Sequence, residues 1–287
     1  MANGCDVRII FSVDDHYVPC LEVCIKSILD HVGQQNQYHL YILNQQLTAA
    51  HQKELRHLAT AQVTIELVEI DATLVNQLTH VKGKLRDDFF TLTIFFRLFI
   101  ADLFPDLEKA IYLDADTVLL ADPAVLFAVE LEEHLIAGVP DTFALQNEST
   151  VHYIQQMVGV TPGHYVNSGV LVMNLNQLRV EKLSQTFLHL ENHYQINALA
   201  PDQDYLNAMC RGRVKVIDGA WNAMPGGEYA QQPQLVHFSL FNKPWHYTDV
   251  PQQRYFWYYA QQTPYFVYFQ QAREMYSDEQ KAADQQH

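Results

Sequence analysis

The fold of this chain follows from the stretch Ile111-Tyr112-Leu113-Asp114-Ala115-Asp116-Thr117-Val118-Leu119-Leu120, in which an apolar strand ends in two carboxylates. Ligands of open α/β sheets bind at the carboxyl ends of the strands, so these acids stand where chemistry usually occurs. Two hard oxygen donors this close suit Mg²⁺ or Mn²⁺, with a diphosphate and a further protein ligand completing the coordination. An isolated Asp-x-Asp is more often a solvated turn or a helix cap. Its position after a strongly apolar strand favours the metal site.

Short β-branched segments alternate with segments of helical periodicity along the chain. This alternation is typical of an α/β domain with a mostly parallel central sheet. Strands are predicted at residues 7–13, 38–43, 63–70, 110–113, 136–139, 166–173, 214–217 and 235–238. Helices are predicted at residues 17–32, 49–58, 91–103, 177–194 and 201–209, with Thr48 as an N-cap and Pro201 at a first helical position. No linker rich in Pro, Gly and Ser interrupts the pattern, so residues 1–250 are predicted to form one domain.

The composition of the chain changes after residue 250. Residues 251–287 are rich in aromatic side chains and glutamine, and they are predicted to form a helical extension. The positive and negative charges of this segment nearly cancel, which argues against a basic membrane helix. We expect the aromatic side chains to pack on the main domain or on a second copy of the chain, because a large exposed aromatic surface promotes self-association. A homo-oligomer formed through this extension is therefore one expectation.

The charge balance and the termini exclude several classes of protein. The chain has 287 residues, with 18 Lys+Arg against 33 Asp+Glu, which gives a formal net charge of −15. A polynucleotide binder needs a basic face, so no nucleic-acid partner is expected. The first residues lack the pattern of a secretory signal, and Arg97 interrupts the most apolar segment, so no transmembrane segment is expected. The four cysteines are too few for a disulfide framework, and a cytoplasmic location is predicted.

Four sequence motifs occur in an order that resembles glycosyltransferase family 8. They are Tyr112-Leu113-Asp114-Ala115-Asp116, Asn167-Ser168-Gly169-Val170-Leu171, Pro201-Asp202-Gln203-Asp204, and His237-Phe238 with Lys243-Pro244-Trp245. The resemblance extends over residues 7–265, which is most of the chain. It implies a GT-A (Rossmann-like) fold and an enzyme that transfers a sugar from a UDP-sugar donor with retention at the anomeric carbon, usually with Mn²⁺.

The resemblance also implies a set of metal ligands, namely Asp114, Asp116 and His237. Imidazole and carboxylate ligands together suit Mn²⁺, with Mg²⁺ as the alternative. The competing interpretation of His237 is a buried, hydrogen-bonded histidine, and the sequence around it favours the ligand. Lys243 would contact the diphosphate as a point charge, against the alternative of an ordinary solvated lysine.

By the same resemblance, the end of the first strand holds the uracil and ribose of the donor. Asp14 or Asp15 would accept a hydrogen bond from a base N–H or a ribose hydroxyl, and Tyr17 would stack on the base. The alternative role of these acids is to cap the following helix, and the two roles are compatible.

Arg97 is a single cation in an apolar helix, where an unpaired charge would be costly. It must therefore find an anion. The candidates are a structural carboxylate or, as the family implies, the donor phosphate and sugar together with the acids of the Asp-x-Asp motif. By the same resemblance, Asp114 and Ala115 are expected to contact the donor together with Arg97.

The resemblance assigns the sugar end of the site to Asp141, Asn167, Asp202 and Gln203. Asp141 resembles the acid that binds donor sugar hydroxyls, and the amides of Asn167 and Gln203 are expected to face the sugar. Retention requires either a double displacement or a front-face substitution in which the leaving diphosphate helps to deprotonate the acceptor. Gln203 occupies the β-face position, and a neutral amide is a poor nucleophile, which favours the front-face route. Asp202 keeps the covalent route open, although it also suits the first turn of the helix begun by Pro201.

The chain departs from the family at Leu240. Lipooligosaccharide galactosyltransferases of the family carry a Gly three residues after the metal-binding His, where this chain has Leu240. A leucine does not adopt a positive φ cheaply, so the phosphate loop is expected to differ here.

The motifs leave the substrates and the activity itself open. The donor sugar is glucose, galactose or N-acetylglucosamine, and the acceptor is a glycan, a glycoprotein or a lipid-linked saccharide. Residues 81–90, 143–163 and 221–234 are the expected acceptor loops. The alternative function is a catalytically silent nucleotide-sugar or glycan-binding module. A nucleotidyltransferase is less favoured, because no Gly-rich phosphate loop follows the first strand.

Overall fold

A seven-stranded mixed sheet forms the centre of the computed structural model, which describes residues 4–82, 92–194, 198–225 and 232–284. The strands are β1 (Asp6–Val13), β2 (Gln37–Asn44), β3 (Val63–Glu69), β4 (Lys109–Leu113), β5 (Thr117–Leu119), β6 (Ile136–Pro140), β7 (Val166–Asn174), β8 (Val214–Val216) and β9 (Leu235–His237). The order in the large sheet is β3-β2-β1-β4-β7-β6-β8. The predicted α/β class is confirmed.

The sheet is parallel except around one strand. Strands β3, β2, β1 and β4 pair in parallel, as do β6 and β8, whereas β7 is antiparallel to both β4 and β6. Eight of the nine residues of β7 are buried. Because a strand buried on both faces has the same continuous apolar pattern in either direction, the sequence did not distinguish this strand from its parallel neighbours.

Helices cover both faces of the sheet and form the C-terminal extension. They are α1 (Val18–His31), α2 (Ala49–His57), α3 (Ala72–Lys82), α4 (Thr93–Phe96), α5 (Ile100–Leu103), α6 (Pro123–Phe127), α7 (Glu148–Tyr153), α8 (Leu175–Val180), α9 (Leu183–Tyr194), α10 (Pro201–Met209), α11 (Gln253–Ala260), α12 (Phe266–Met275) and α13 (Asp278–Asp284). Thr48 caps α2 through its side chain, and Pro201 begins α10, as predicted. None of the helices in the described ranges is long and apolar enough to cross a bilayer.

Two of the predicted helices are interrupted. The helix predicted at residues 91–103 consists of α4, a 3₁₀ turn at Arg97–Phe99, and α5, and residue 91 lies outside the described residues. The helix predicted at residues 177–194 is divided into α8 and α9 at Lys182, whose φ is +53°. Both interruptions depend on tertiary packing, because neither segment contains an internal Pro or Gly that would predict a break.

A second, two-stranded sheet joins distant parts of the chain. Strand β5 begins directly after the Asp-x-Asp motif and pairs antiparallel with β9, with Thr117 opposite His237. The backbone N–H of Phe238 also donates to the carbonyl oxygen of Asp116 over 3.0 Å. The sequence predicted the strand at residues 235–238 but not its partner. This pairing places His237 beside the two acids.

The C-terminal extension packs on the main domain. Phe256 and Phe269 are fully buried, with ring centroids 5.0 Å apart. Both rings contact Trp245, and their apolar cluster includes Val23 on α1 and Phe238 after β9. The arrangement agrees with the packing on the main domain expected from the sequence, whereas the boundary at residue 250 stays a prediction.

Leu240 lies in a turn between β9 and Lys243. The N–H of Asn242 donates to the carbonyl oxygen of Ser239 over 3.3 Å, and Leu240 at the first central position has a φ of +52°. Gly takes this position most readily, because a Cβ in the left-handed region costs about 1–2 kcal/mol. The turn therefore forms in spite of the leucine, which lies at the edge of a cavity and is 40% exposed.

Comparing Leu240→Gly with Leu240→Ala tests this backbone strain. Both substitutions remove the leucine side chain, but only Gly adopts the left-handed conformation without strain. We expect the Gly variant to be about 1 kcal/mol more stable than the Ala variant in urea denaturation. The pair Lys182→Gly and Lys182→Ala is the positive control, because Lys182 is exposed and also has a positive φ. The Gly variant should again be the more stable of the two. Equal stability of the two Leu240 variants would show that residue 240 carries no such strain in solution.

Candidate active site

A cavity of about 660 Å³ opens at the carboxyl ends of β1 and β4, beside the start of β7. The predicted site residues that line it are Tyr17, Arg97, Asp114, Ala115, Asp116, Asp141, Asn167, Asp202, Gln203, His237 and Lys243. Only Asp14 and Asp15, of the residues predicted from the sequence, do not line it. The position agrees with the rule that ligands bind beyond the carboxyl ends of strands in open α/β sheets.

Asp114, Asp116 and His237 form a compact group of metal-ligating side chains. One ligand atom from each residue lies within 4.8 Å of the others. The Nε2 atom of His237 is 3.2 Å from a carboxylate oxygen of Asp116 and 3.8 Å from one of Asp114. These three residues could bind a divalent metal ion, because two oxygen donors and one imidazole nitrogen suit Mn²⁺.

Gly169 of β7 allows this group to lie directly against the backbone of the strand. A Cβ built at Gly169 would collide with His237 Cε1 and with Asp114 Oδ2, and it would lie 3.0 Å from His237 Nε2. Any side chain at this position would therefore displace the ligand atoms. The backbone of β7 approaches the acids closely because residue 169 has no side chain.

His237 is oriented by a residue that sequence analysis did not identify. Its Nδ1 atom lies 3.0 Å from Asn222 Oδ1, and Asn222 Nδ2 donates to Asn167 Oδ1 over 3.0 Å. Asn222 is 2% exposed and His237 equally so. Because Nδ1 is engaged by the amide, Nε2 faces the carboxylates, which is the arrangement typical of a metal-ligating histidine with an outer partner. No motif in the sequence marks Asn222.

Lys243 is buried and paired, unlike the solvated lysine considered as its alternative. Its ammonium group forms an ion pair with Asp116 and donates to the carbonyl oxygen of Phe238 over 2.7 Å. Burial alone would raise the pKa of Asp116, but Lys243 and His237 outweigh it and hold that pKa well below its ordinary value. Burial would lower the pKa of Lys243, and the charge of Asp116 raises it above its ordinary value instead. Asp116 and Lys243 therefore stay charged across the physiological pH range.

Arg97 finds two structural carboxylates. One of its terminal nitrogens donates to Asp114 over 2.9 Å, and its Nε lies 3.2 Å from Asp202. The guanidinium group also donates to the carbonyl oxygen of Ser168 over 2.7 Å and lies 4.5 Å from the centre of the Tyr112 ring. Burial raises the pKa of Asp202, and the charge of Arg97 opposes this effect. The arginine thus links the Asp-x-Asp motif to the start of α10.

The amides and acids assigned to the sugar end form one hydrogen-bonded network. Asp141 Oδ2 accepts from Gln203 Nε2 over 3.0 Å and from Asn167 Nδ2 over 3.3 Å. Gln203 Oε1 accepts from the N–H of Ser168 over 3.0 Å. The same serine donates its hydroxyl to Asp202 over 2.9 Å. These contacts connect β6, β7 and α10 and fix the orientation of each polar group at the cavity wall.

Asp14 and Asp15 are engaged in local contacts instead. Asp14 Oδ1 accepts from the N–H groups of His16 and Tyr17 over 3.0 Å and 3.2 Å. Asp15 Oδ1 accepts from the N–H of Thr48 and contacts the His51 ring, both over 2.9 Å. Neither contact is the predicted cap of α1, whose N-cap is Tyr17 without a side-chain hydrogen bond, and Asp15 instead bonds residues at the start of α2. The role of the two acids toward the nucleotide stays a prediction.

The far end of the cavity is formed by α7 and by residues 199–200. Thr150 and Tyr153 of α7 line it. Asp204 accepts from the hydroxyls of Tyr153 and Tyr165 over 2.8 Å and 2.7 Å. Of the expected acceptor loops, residues 143–163 therefore reach the cavity, whereas residues 83–90 and 226–231 lie outside the described residues.

Two relatives are similar to most of the chain. It is 27% identical over 254 residues to the lipopolysaccharide 1,2-glucosyltransferase of Escherichia coli, covering 82% of this chain and 72% of that protein. It is 24% identical over 261 residues to general stress protein A of Bacillus subtilis, covering 83% of this chain and 87% of that protein.

The fold also resembles a solved structure. The galactosyltransferase LgtC, in complex with donor and acceptor sugar analogs, superposes with a TM-score of 0.78 over 90% of this chain and 96% of that chain. At 20% sequence identity this likeness shows a shared fold, so the predicted GT-A architecture is confirmed.

The family is shown by the sequence itself. The chain matches the family described as Glycosyl transferase family 8 over residues 8–249. This match covers most of the 287 residues, and the chain therefore belongs to glycosyltransferase family 8 and is a glycosyltransferase.

Proposed function

We propose that the chain is a retaining, Mn²⁺-dependent hexosyltransferase. The donor is UDP-glucose, UDP-galactose or UDP-N-acetylglucosamine, and the acceptor is a glycan, a glycoprotein or a lipid-linked saccharide. The observation that carries the proposal is a single cavity with the Asp114, Asp116 and His237 group beside Lys243, and with the network around Asp141 and Gln203 in the same wall. The two halves suit the two halves of a sugar nucleotide.

The charged half suits a diphosphate. Asp114, Asp116 and His237 would hold the cation, which when bound neutralises negative charge on the leaving UDP. Lys243 adds a fixed positive charge with its side chain already desolvated, so little reorganisation is needed when an anion arrives. Arg97 holds Asp114 in place over 2.9 Å and so fixes one of the metal ligands.

The half built from amides and hydrogen-bonded acids suits the hexose. Gln203 has both amide atoms engaged, with Nε2 bonded to Asp141 and Oε1 to Ser168. Asp202 is tied to Arg97 and Ser168 through the same oxygen. The amide of Gln203 is neutral and hydrogen-bonded, and the carboxylate of Asp202 is paired with Arg97. Neither is therefore a free nucleophile, which supports the front-face route. In that route the bond from the anomeric carbon to the phosphate oxygen breaks, the acceptor oxygen bonds to the same face, and the acceptor proton passes to the leaving phosphate.

Location and assembly are further proposals. The cytoplasmic location expected from the sequence stays a prediction. Self-association through the extension also stays a prediction, and the half-exposed rings of Tyr258 and Tyr268 are the part of it that would support such contacts.

Thermal-shift measurements with the three UDP-sugars test the donor and the metal together. A ligand present at 100 times its Kd stabilises the native state by about 2.7 kcal/mol. We expect one of the three donors to raise the Tm in the presence of Mn²⁺ and to lose this effect when EDTA removes the metal. The same donor should be hydrolysed slowly without an acceptor. If every donor is neither bound nor hydrolysed, the proposal fails. Binding with neither hydrolysis nor transfer would favour the silent binding module.

Substituting Asn222 tests whether the histidine acts as a ligand. Asn222→Ala removes no ligand atom but frees the Nδ1 side of His237. Loss of such an outer partner usually lowers metal affinity about 10–100-fold, and we expect this loss in Mn²⁺ titration calorimetry. His237→Ala should abolish the binding at this site. Asp278→Asn, on the exposed α13, is the control. If the Asn222→Ala and His237→Ala variants both bind Mn²⁺ as tightly as wild type, His237 is not a metal ligand.

Substituting Asp202 separates the two retaining routes. In the front-face route Asp202→Asn loses only charge stabilisation, and we expect kcat to fall about 10²–10³-fold. Loss of a true nucleophile costs about 10⁶-fold. Intact-mass spectrometry of the wild-type enzyme with donor and no acceptor should show no sugar adduct. An adduct on Asp202, together with the larger loss, would establish the covalent route.

A further inference from the structure

The turn that carries Lys243 is closed by its own backbone. The carbonyl oxygen of Lys243 accepts from the N–H groups of His246 and Tyr247 over 2.9 Å and 3.0 Å. The position of the Lys243 backbone is therefore coupled to the positions of these two aromatic residues. Its side chain extends from this turn to Asp116.

Tyr276 and Asp284 contact the other side of this turn. The ring of His246 stacks on Tyr276, with centroids 3.9 Å apart and planes within 5°. Asp284, at the end of α13, accepts from the hydroxyl of Tyr247 and from that of Tyr276, the latter over 2.9 Å. The carboxylate of Asp284 belongs to a residue that is only 5% exposed. Hydrogen bonds to a buried carboxylate are stronger than neutral ones, so this contact holds α13 to the turn.

Apolar packing supports the same connection. The ammonium of Lys243 lies 5.6 Å from the centre of the Trp245 ring, which packs on Phe256 and Phe269 of the extension. Burial, together with the nearby charge of Lys243, lowers the pKa of His246 to about 4. The stacked ring is therefore neutral at physiological pH and places no second positive charge beside the lysine.

We propose that Asp284 is a positioning residue for donor binding, because it holds the turn of residues 243–247 in place through Tyr247 and Tyr276. This proposal rests on the proposed function, in which Lys243 contacts the diphosphate. A cationic side chain that is fixed before binding loses less conformational entropy when the anion arrives. The C-terminal extension thus contributes to donor affinity although, in the described part of the chain, none of its residues lines the cavity.

Asp284→Ala tests the proposal in the full-length chain. We expect the KM for the UDP-sugar and the Kd for UDP with Mn²⁺ to rise about 5–10-fold, because the turn that carries Lys243 is held less firmly. The kcat and the KM for the acceptor should change less than about 2-fold, because the sugar end of the site is untouched. Asp284→Asn retains an oxygen that accepts from the tyrosines, so it should recover most of the affinity. Asp278→Ala, on the exposed face of the same helix, is the matched control and should behave as wild type.

A second variant distinguishes positioning from general loosening of the extension. Tyr247→Phe removes one hydroxyl that bonds Asp284 and leaves the ring. We expect a smaller loss of UDP affinity, and the double variant Asp284→Ala/Tyr247→Phe should bind UDP no more weakly than Asp284→Ala alone. Additive losses, or a fall in kcat with no change in UDP affinity, would overturn the proposal.

Failure of the proposed function would look different. Wild-type protein that does not bind UDP with Mn²⁺ contradicts the donor assignment. Wild-type protein that binds UDP, together with an Asp284→Ala variant that binds it equally well, contradicts the role of Asp284 alone. Circular dichroism and the Tm of each variant show whether the fold has been kept.

Discussion

The pairing of β5 with β9 is the constraint on which the site depends. It places Thr117 opposite His237 and adds a backbone hydrogen bond between Phe238 and Asp116. This short sheet brings the histidine beside two acids that lie more than 100 residues earlier in the chain. The pairing also sets the start of the turn that leads to Lys243. One ladder of backbone hydrogen bonds therefore fixes both the group that could bind a metal ion and the neighbouring cation.

Two of the acids in the cavity wall are paired with buried cations. Asp114 is held by Arg97 and Asp116 by Lys243. Burying such pairs is costly, and their net contribution to folding is small, but removing one partner leaves an uncompensated buried charge. The pair of Asp116 with Lys243 is therefore better understood as a way to keep this buried carboxylate ionised than as a source of stability.

Sequence patterns predicted the elements of the fold better than their connections. The strands of the large sheet follow from local periodicity, and Thr48 and Pro201 marked two helix starts correctly. Strand β5 and helices α3, α6 and α7 were not predicted. The antiparallel direction of β7, the partner of β9 and the break at Lys182 depend on contacts between distant residues, which one sequence does not encode locally. Eleven of the site residues predicted from the sequence line the cavity. Asn222 was not predicted, because only its contact with the His237 ring identifies it.

The absent side chain at Gly169 has a wider consequence. Strand β7 is otherwise a core strand, with its side chains packed against the neighbouring strands and helices. At one position along it, the missing Cβ lets Asp114 and His237 lie directly against the main chain of the strand. This side of the binding site is therefore formed by backbone, and one added carbon atom at residue 169 would push the acid and the histidine away from the sheet.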